Sequence, residues 1–298
     1  RLGYVKYLNT LPLVEGLGSC RDLEMVAAVP SLLAGMLMRG EVDLALASLV
    51  DFAQARGELV LVPAGMIGCA GATLTVRVFS QRPIEETRRL HADTDSHTSV
   101  VLAQVILAER YGLRPPVVAF DARERHEVAD GQGDARAQVG SGSTPEWPET
   151  LLLIGDKVVT DSPPAVRYPY QLDLGEAWWA MTGKPFVYAM WMARRRDVQG
   201  PRWADLRTAA DLLERQRLRN LARTQWMIDR AAGERRWPVD LATRYVTEFL
   251  RYEVTPEARA GAAEFLRRAA LVTTGAVYRV ELPAVEPVYA ESGAVAGV

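Results

Sequence analysis

The chain has 298 residues and a formal net charge of −2, from 35 basic and 37 acidic side chains, and 49% of its residues are hydrophobic. This composition is that of a globular protein, and the length predicts two domains or one large domain. The near-neutral charge gives no electrostatic footprint for nucleic acid or an anionic membrane, and no apolar run approaches the roughly 20 residues that span a bilayer. We therefore expect neither nucleic acid nor a membrane as a partner.

Cysteine and histidine are scarce, with only Cys20, Cys69 and three histidines in the chain. They form no C-x-x-C pair and show no spacing typical of metal ligands, so the sequence predicts no metal site. A low cysteine count is typical of a reducing compartment. Because no secretory leader is visible either, we expect the protein to be cytoplasmic.

Strands and helices alternate along the first part of the chain. A helix is predicted from Pro30, which suits a first helical position, to Gly40, which suits a stop. A short helix is predicted over Asp51–Arg56. The apolar patterns predict four strands, at Leu2–Val5, Leu23–Val29, Leu44–Ala47 and Leu59–Val62. This alternation favours a parallel sheet with helices on its faces.

A second βα series follows a β-prone run at Thr73–Phe79. It comprises helices at Pro83–Arg88 and Ser96–Tyr111, strands at Val117–Phe120 and Leu151–Ile154, and between those strands a polar excursion at Arg123–Thr150. Another β-prone run, Pro185–Met192, closes the series, and the remainder of the chain is predicted to be helical. Its helices are expected at Trp203–Arg219, at Leu221–Ala232, from Pro238 and from Pro256.

Two α/β halves bracketed by two β-prone runs predict two lobes joined by hinge strands. We expect lobe 1 to comprise residues 1–76 and 190–283, lobe 2 to comprise residues 77–189, and residues 284–298 to be a tail. A ligand is then expected in the cleft between the lobes, where small-molecule sites are common. A doubly wound single domain is the alternative.

The segment Asp93–Gln104, DTDSHTSVVLAQ, predicts an anion site at the start of a helix. Ser96 suits the N-cap, and Thr98 and Ser99 fall in the first turn. Hydroxyl groups and free N–H groups at a helix start bind anions, of which a carboxylate is the natural example. Simple helix capping by Ser96 is the alternative interpretation.

Other polar residues follow or lie within predicted strands. Asn9, in the YLNTLPL segment, and Ser48 each follow a strand, and Thr75 lies in the first predicted hinge strand. Asp156 also follows a buried strand, where it can contact a ligand or, as we favour, cap the next helix. No G-x-S-x-G, H-E-x-x-H, P-loop or G-x-G-x-x-G motif is present. The protein therefore only binds its ligand, or the ligand itself supplies part of the acid/base chemistry.

Five stretches together resemble chorismate dehydratases, the first enzymes of the futalosine route to menaquinone. They are G-Y-x-x-Y-L-N-x-x-P at Gly3–Pro12, G-E-V-D-L-A-L at Gly40–Leu46, S-x-T-S at Ser96–Ser99, L-L-I-G-D at Leu152–Asp156, and D-L-G-x-x-W-x-x-x-T-G-x-P-F-V-Y-A-x-W at Asp173–Trp191. They occur in the family's order and cover most of the first two thirds of the chain.

The resemblance implies a type II periplasmic-binding-protein fold, with two α/β lobes around a cleft and a helical C-terminal part. It also implies a carbon–oxygen lyase that removes water from chorismate to give 3-[(1-carboxyvinyl)oxy]benzoate, with no cofactor. Asn9 and Thr75 are the catalytic residues that it implies, and the hydroxyls of Ser96, Thr98 and Ser99 bind the substrate. We add Ser48 and Asp156 as candidate binding residues. His97 departs from the family pattern, in which Arg is common.

Two other functions fit the same fold. One is the sister enzyme of the same pathway, 1,4-dihydroxy-6-naphthoate synthase, whose N-terminal motif differs from Y-L-N-x-x-P. The other is a solute-binding or ligand-sensing protein, which would bind chorismate without converting it. Because no side-chain base stands in the matching motifs, our mechanistic hypothesis is that the enolpyruvyl carboxylate of the substrate acts as the base.

Overall fold

A computed structural model describes residues 1–93, 95–121, 147–272, 289 and 290. The described chain forms two mixed β-sheets with helices packed on their faces. The first sheet has six strands in the order β11-β4-β10-β3-β1-β2. These strands are β1 (Leu2–Tyr4), β2 (Met25–Ala27), β3 (Leu44–Ser48), β4 (Leu59–Cys69), β10 (Phe186–Arg194) and β11 (Leu250–Arg251).

The second sheet has five strands in the order β7-β6-β8-β5-β9. The strand β6 is parallel to β7 and β8, whereas β5 is antiparallel to β8 and β9. These strands are β5 (Val76–Ser80), β6 (Leu90–Asp93), β7 (Val117–Phe120), β8 (Thr150–Ile154) and β9 (Tyr170–Asp173).

Eleven α-helices lie within the described part of the chain. The four in the first half are α1 (Leu11–Val14), α2 (Pro30–Arg39), α3 (Leu49–Gln54) and α4 (His97–Tyr111). The others are α5 (Lys157–Thr160), α6 (Leu174–Thr182), α7 (Arg195–Val198), α8 (Trp203–Leu221), α9 (Thr224–Ala231), α10 (Val239–Arg244) and α11 (Pro256–Val272). A 3-10 turn lies at Leu8–Thr10, and a π-helical turn lies at Tyr245–Phe249.

The predicted βαβ pattern is confirmed in the first sheet, where β1 is parallel to both β2 and β3. The predicted ends of two helices are also confirmed. Pro30 begins α2, Gly40 follows α2 with a φ of 78°, and Ser96 caps α4. The antiparallel strand β10 lies between β3 and β4 and makes the sheet mixed. A run such as β10 reads as β-prone in the sequence, but its neighbours in the sheet are set by long-range packing.

The first predicted hinge strand is shorter than expected, because residues before Val76 leave the ladder. Leu74 has a φ of 72°, a strained conformation for a branched residue that needs outside support. That support comes from Asp173, whose carboxylate accepts the N–H of Thr73 at 2.9 Å and of Leu74 at 2.7 Å. The same carboxylate accepts the N–H of Gly175 at 3.0 Å and so caps α6.

The strands β4 and β10, which lead into and out of the second sheet, lie side by side in the first sheet. Phe186 is paired with Cys69 at the end of β4. Because the whole of β10 belongs to the six-stranded sheet, we propose that the second lobe boundary precedes Phe186 instead of lying at the expected 189/190. The first expected boundary, between residues 76 and 77, falls next to the crossing segment at residues 70–75.

The C-terminal helices that the sequence predicts pack against the rest of the described chain. The helices α8–α10 bury apolar side chains against one face of the first sheet, and α11 packs against both β10 and α4. Trp178 and Phe265 are fully buried around Phe186, with edge-to-face ring contacts at centroid distances of 5.4 and 4.8 Å. This aromatic cluster joins α6, β10 and α11, and it fixes α11 against the first sheet and against α6.

Some expectations cannot be compared with described residues. The excursion at Arg123–Thr150 is described only from residue 147 onward, and of the tail at 284–298 only residues 289 and 290 are described. Within the described ranges, no helix combines the length and apolar character needed to cross a membrane.

Candidate functional site

A cavity lies between the two sheets, and both contribute to its wall. Its apolar wall comes from strand and turn residues such as Val5, Leu46 and Ile154. Its polar side chains are those of Tyr7, Asn9, Thr10, Ser48, Thr73, Thr75, Ser96, Ser99, Tyr188 and Tyr245. A mainly apolar cavity with a few convergent polar groups is typical of a small-molecule site.

The wall of this cavity includes no Asp, Glu, Lys, Arg or His among the described residues. Its polar atoms are hydroxyl and amide groups, which hydrogen-bond a ligand without carrying charge at neutral pH. The site therefore offers donors for anionic oxygens and no charged side chain to act as a strong base.

Five of the seven candidate site residues predicted from the sequence line this cavity: Asn9, Ser48, Thr75, Ser96 and Ser99. They come from four separate segments, namely the 3-10 turn after β1, the end of β3, the segment before β5 and the start of α4. The carboxyl ends of strands and the starts of helices thus meet at one place, as the α/β pattern predicts.

Asn9 and Thr75 line the cavity together with a third polar residue, Tyr245. The Thr75 Oγ1 and Tyr245 hydroxyl oxygens lie 2.6 Å apart. Burial raises the pKa of Tyr245. The Oδ1 atom of Asn9 is buried without a hydrogen-bond partner among the described residues. It is therefore an acceptor that a ligand can use.

Ser96 and Ser99 form a hydroxyl pair at the start of α4. The N–H of Ser99 donates to Ser96 Oγ at 3.3 Å, which is the capping bond predicted from the sequence, and Ser96 Oγ donates to Ser99 Oγ at 3.0 Å. Because Ser99 accepts from Ser96, its own hydroxyl proton is left to donate into the cavity. Ser48 lies nearby as the N-cap of α3 and makes no side-chain capping bond.

Thr98 and Asp156 do not line the cavity, and each bonds a backbone N–H in another segment. The Thr98 hydroxyl is fully buried and accepts the N–H of Val50 at 3.1 Å, which fixes α3 against α4. Asp156 makes no side-chain cap on α5. The N–H of Leu8 instead donates to both oxygens of the Asp156 carboxylate, each at a distance of 3.3 Å. Asp156 thus holds the turn that carries Asn9.

Further polar contacts surround the cavity. Tyr7 donates its hydroxyl proton to Asp95 at 3.0 Å, and on the side of the second sheet Lys157 pairs with both Asp93 at 2.6 Å and Asp95 at 2.7 Å. His97 lies outside the cavity wall and bonds Asp51 at 2.6 Å, which raises the pKa of His97. The Tyr7 and His97 contacts fix one side of the cavity to the other.

The sequence did not single out Tyr7, Tyr188 or Tyr245 as site residues. Tyr188 lies in the β10 run and bonds the Thr73 hydroxyl at 2.6 Å, and Tyr245 lies in a predicted helix. A tyrosine in an apolar pattern reads as core, and only the long-range contacts show that its hydroxyl reaches a cavity. The described residues also contain no group of three His, Cys, Asp or Glu side chains placed to hold a metal ion.

A family model described as menaquinone biosynthesis matches residues 1–271 of the chain. The chain belongs to this menaquinone biosynthesis family. A curated relative from Thermus thermophilus, named chorismate dehydratase, is 29% identical over 203 residues, which cover 66% of this chain and 70% of the relative.

Solved structures share the fold of this family member at low sequence identity. Protein AF1704 from Archaeoglobus fulgidus matches with a TM-score of 0.64 and 14% identity, over 91% of this chain and 96% of that protein. The periplasmic aliphatic sulphonate binding protein SsuA from Escherichia coli matches with a TM-score of 0.57 and 12% identity, over 95% and 96% of the two chains. The predicted periplasmic-binding-protein fold is therefore confirmed.

Asp156→Asn should weaken the pH dependence of this protein's stability. Burial raises the pKa of Asp156 to about 6, above its ordinary value of 3.8. The folded protein therefore holds a proton between these values that the unfolded chain has lost, and the free energy of unfolding falls as the pH rises through this window. Because Asp156→Asn removes this carboxyl group, it should reduce the fall in the free energy of unfolding by on the order of 1–3 kcal/mol. Urea unfolding between about pH 4 and about pH 7 measures it.

The matched control is Asp22→Asn, at an exposed position, which should keep the wild-type pH dependence. The asparagine at position 156 keeps an oxygen that accepts the Leu8 N–H, so the backbone contact is preserved. An Asp156→Asn protein with the same pH dependence as the wild type would contradict the assignment of a buried, proton-binding carboxyl at this position.

Proposed function

We propose that this protein is a chorismate dehydratase, a hydro-lyase that converts chorismate to 3-[(1-carboxyvinyl)oxy]benzoate and water. Membership of the menaquinone biosynthesis family and the name of the Thermus thermophilus relative support the proposal. The observation that carries it is the cavity wall of neutral hydroxyl and amide groups beside an α-helix start, which suits a dicarboxylate. We also propose a cytoplasmic location, which the free thiols of Cys20 and Cys69 support.

The reaction that we propose breaks two bonds on adjacent ring carbons of chorismate. The C–H bond breaks at the carbon that bears the ether, and its electrons enter the ring. The hydroxyl group leaves the neighbouring carbon with its bonding electrons. The proton and the hydroxide together make one water, and the ring becomes aromatic, so the overall step is strongly downhill.

The base in this mechanism is the enolpyruvyl carboxylate of chorismate itself. This hypothesis is supported by the cavity wall, which contributes no carboxylate, imidazole or amine among the described residues. The protein then contributes position and hydrogen bonding in a site shielded from water. If Asp156→Asn abolished turnover and left substrate affinity intact, this assignment of the base would fail.

We assign the catalytic contacts to Asn9 and Thr75 and the substrate-binding contacts to Ser48, Ser96 and Ser99, with Ser99 as the donor to a substrate carboxylate. The partial positive charge at the start of α4 adds to the donor capacity of Ser99. In this proposal, Thr98 and Asp156 do not touch the substrate. Their side chains accept the backbone N–H groups of Val50 and Leu8 and so hold the walls of the site.

The direct test mixes the purified protein with chorismate and follows the ultraviolet change of aromatisation, with the product identified by mass spectrometry. Formation of an enolpyruvyl benzoate supports the proposal. Tight binding of unchanged chorismate would instead identify a solute-binding or sensing protein, which the fold also allows. Turnover of the later pathway intermediate alone would identify 1,4-dihydroxy-6-naphthoate synthase.

Asn9→Asp should abolish most of the turnover and leave the fold intact. The substitution keeps the size of the side chain and replaces an amide by a negative charge that faces a dianion in a low-dielectric site. We expect kcat/KM to fall by roughly 100-fold or more. The aromatisation assay measures this fall, and circular dichroism checks the fold. Near-normal activity in a folded variant would contradict the role of Asn9.

Neighbouring substitutions at Ser99 and Thr98 should separate binding from stability. Ser99→Ala removes a donor to the substrate carboxylate and should raise the substrate KM by about 5- to 30-fold. Thr98→Val leaves the buried N–H of Val50 without its acceptor and should lower the free energy of unfolding by about 1–3 kcal/mol. Thr98→Ser is the control that keeps the hydroxyl. Equal effects of the Ser99 and Thr98 variants on KM would refute this division of roles.

A further inference from the structure

Three polar side chains from distant parts of the chain meet at the cavity, and two of them, Thr75 and Tyr245, share a hydrogen bond. Asn9 belongs to the 3-10 turn after β1, Thr75 to the segment that crosses between the sheets, and Tyr245 to the start of the π-helical turn. All three line the same cavity. Turns of π-helix are rare and concentrate at functional sites, where they redirect a side chain.

Tyr245 is held rigidly, so its hydroxyl has a fixed position. Its side chain is almost fully buried, and its ring is stacked on Trp237 with centroids 5.0 Å apart and an interplanar angle of 21°. Its oxygen lies 2.6 Å from Thr75 Oγ1. A buried hydroxyl of this kind keeps its proton, because burial raises its pKa.

Two other polar groups line the same cavity beside this fixed hydroxyl. The Oδ1 of Asn9 is buried and has no hydrogen-bond partner within the described residues, so it is a free acceptor. The Thr75 hydroxyl shares its hydrogen bond with Tyr245, and either oxygen can be the donor. When Tyr245 is the donor, the hydroxyl proton of Thr75 is left for the cavity.

We propose that Tyr245 donates its proton to Thr75 Oγ1 and so positions Thr75 as a donor, beside Asn9 as an acceptor, toward the hydroxyl group that leaves the substrate. A hydroxyl both donates and accepts, so it matches this pair: its proton bonds Asn9 Oδ1, and its oxygen accepts from Thr75. As the carbon–oxygen bond breaks, negative charge grows on that oxygen and strengthens the bond from Thr75. Tyr245 keeps its proton throughout and polarises Thr75 through their hydrogen bond. The inference rests on the proposed dehydration.

The test compares Tyr245→Phe with Tyr252→Phe in the chorismate assay. Tyr252 is a matched control, because its side chain is also buried and its hydroxyl has no hydrogen-bond partner among the described residues. We expect Tyr245→Phe to lower kcat by about 10- to 100-fold with KM changed by less than about threefold. Tyr252→Phe should keep kcat within about twofold of the wild type.

A double variant tests whether Tyr245 acts through Thr75. If it does, Thr75→Val combined with Tyr245→Phe should lose no more activity than Thr75→Val alone, whereas two independent effects would multiply. If Tyr245→Phe does not fold, 3,5-difluorotyrosine at position 245 keeps the ring and the hydroxyl but changes the donor strength, and kcat should change relative to the same substitution at position 252.

The outcomes separate this inference from the proposed function. A wild-type protein that leaves chorismate unchanged would refute the dehydratase assignment itself. An active wild type with a folded Tyr245→Phe variant of wild-type kcat would overturn only the role of Tyr245. Multiplicative losses in the double variant, or an unchanged kcat with difluorotyrosine, would overturn it as well.

Discussion

The geometry between the two lobes depends on the hydrogen bonds that the buried carboxylate of Asp173 accepts. This carboxylate accepts N–H groups from Thr73 and Leu74 in the segment that crosses into the second sheet, and from Gly175 at the start of α6. It thereby stabilises the left-handed backbone of Leu74, which has a φ of 72°. Because Thr75 follows directly, the position of its hydroxyl in the cavity is set by a residue about 100 positions later in the chain.

The shape of the cavity thus depends on contacts between the two lobes, because each lobe supplies only part of its wall. Asp156 and Tyr7 bond across it to Leu8 and Asp95, and the aromatic cluster around Phe186 ties α11 to β10 and α6. Charged side chains are used in these supporting contacts, whereas the cavity wall itself carries neutral donors and acceptors. Such a division suits catalysis by fixed hydrogen bonds on a substrate that brings its own charges.

Local patterns predicted much of the fold and part of the site. Pro30, Gly40 and Ser96 mark helix ends through their own backbone chemistry, and Asn9 and Ser99 stand where strands end or a helix begins. The short strand β6 escaped prediction because its four residues, two of them polar, are too few to establish a period. The role of Tyr245 escaped it because its contact with Thr75 spans 170 residues and needs a π-helical turn. A pattern of apolar spacing describes the buried face of a helix and contains no information about such contacts.

The most direct measurement is a crystal structure of the protein with 3-[(1-carboxyvinyl)oxy]benzoate bound, because it tests the lobes, the cavity and the ligand together. The account predicts the aromatic ring inside the cavity between the sheets, beside Asn9 and Thr75, with a carboxylate at Ser99 and the start of α4. A ligand bound at another surface, or one that enters the cavity without contact to Asn9 and Thr75, would contradict it.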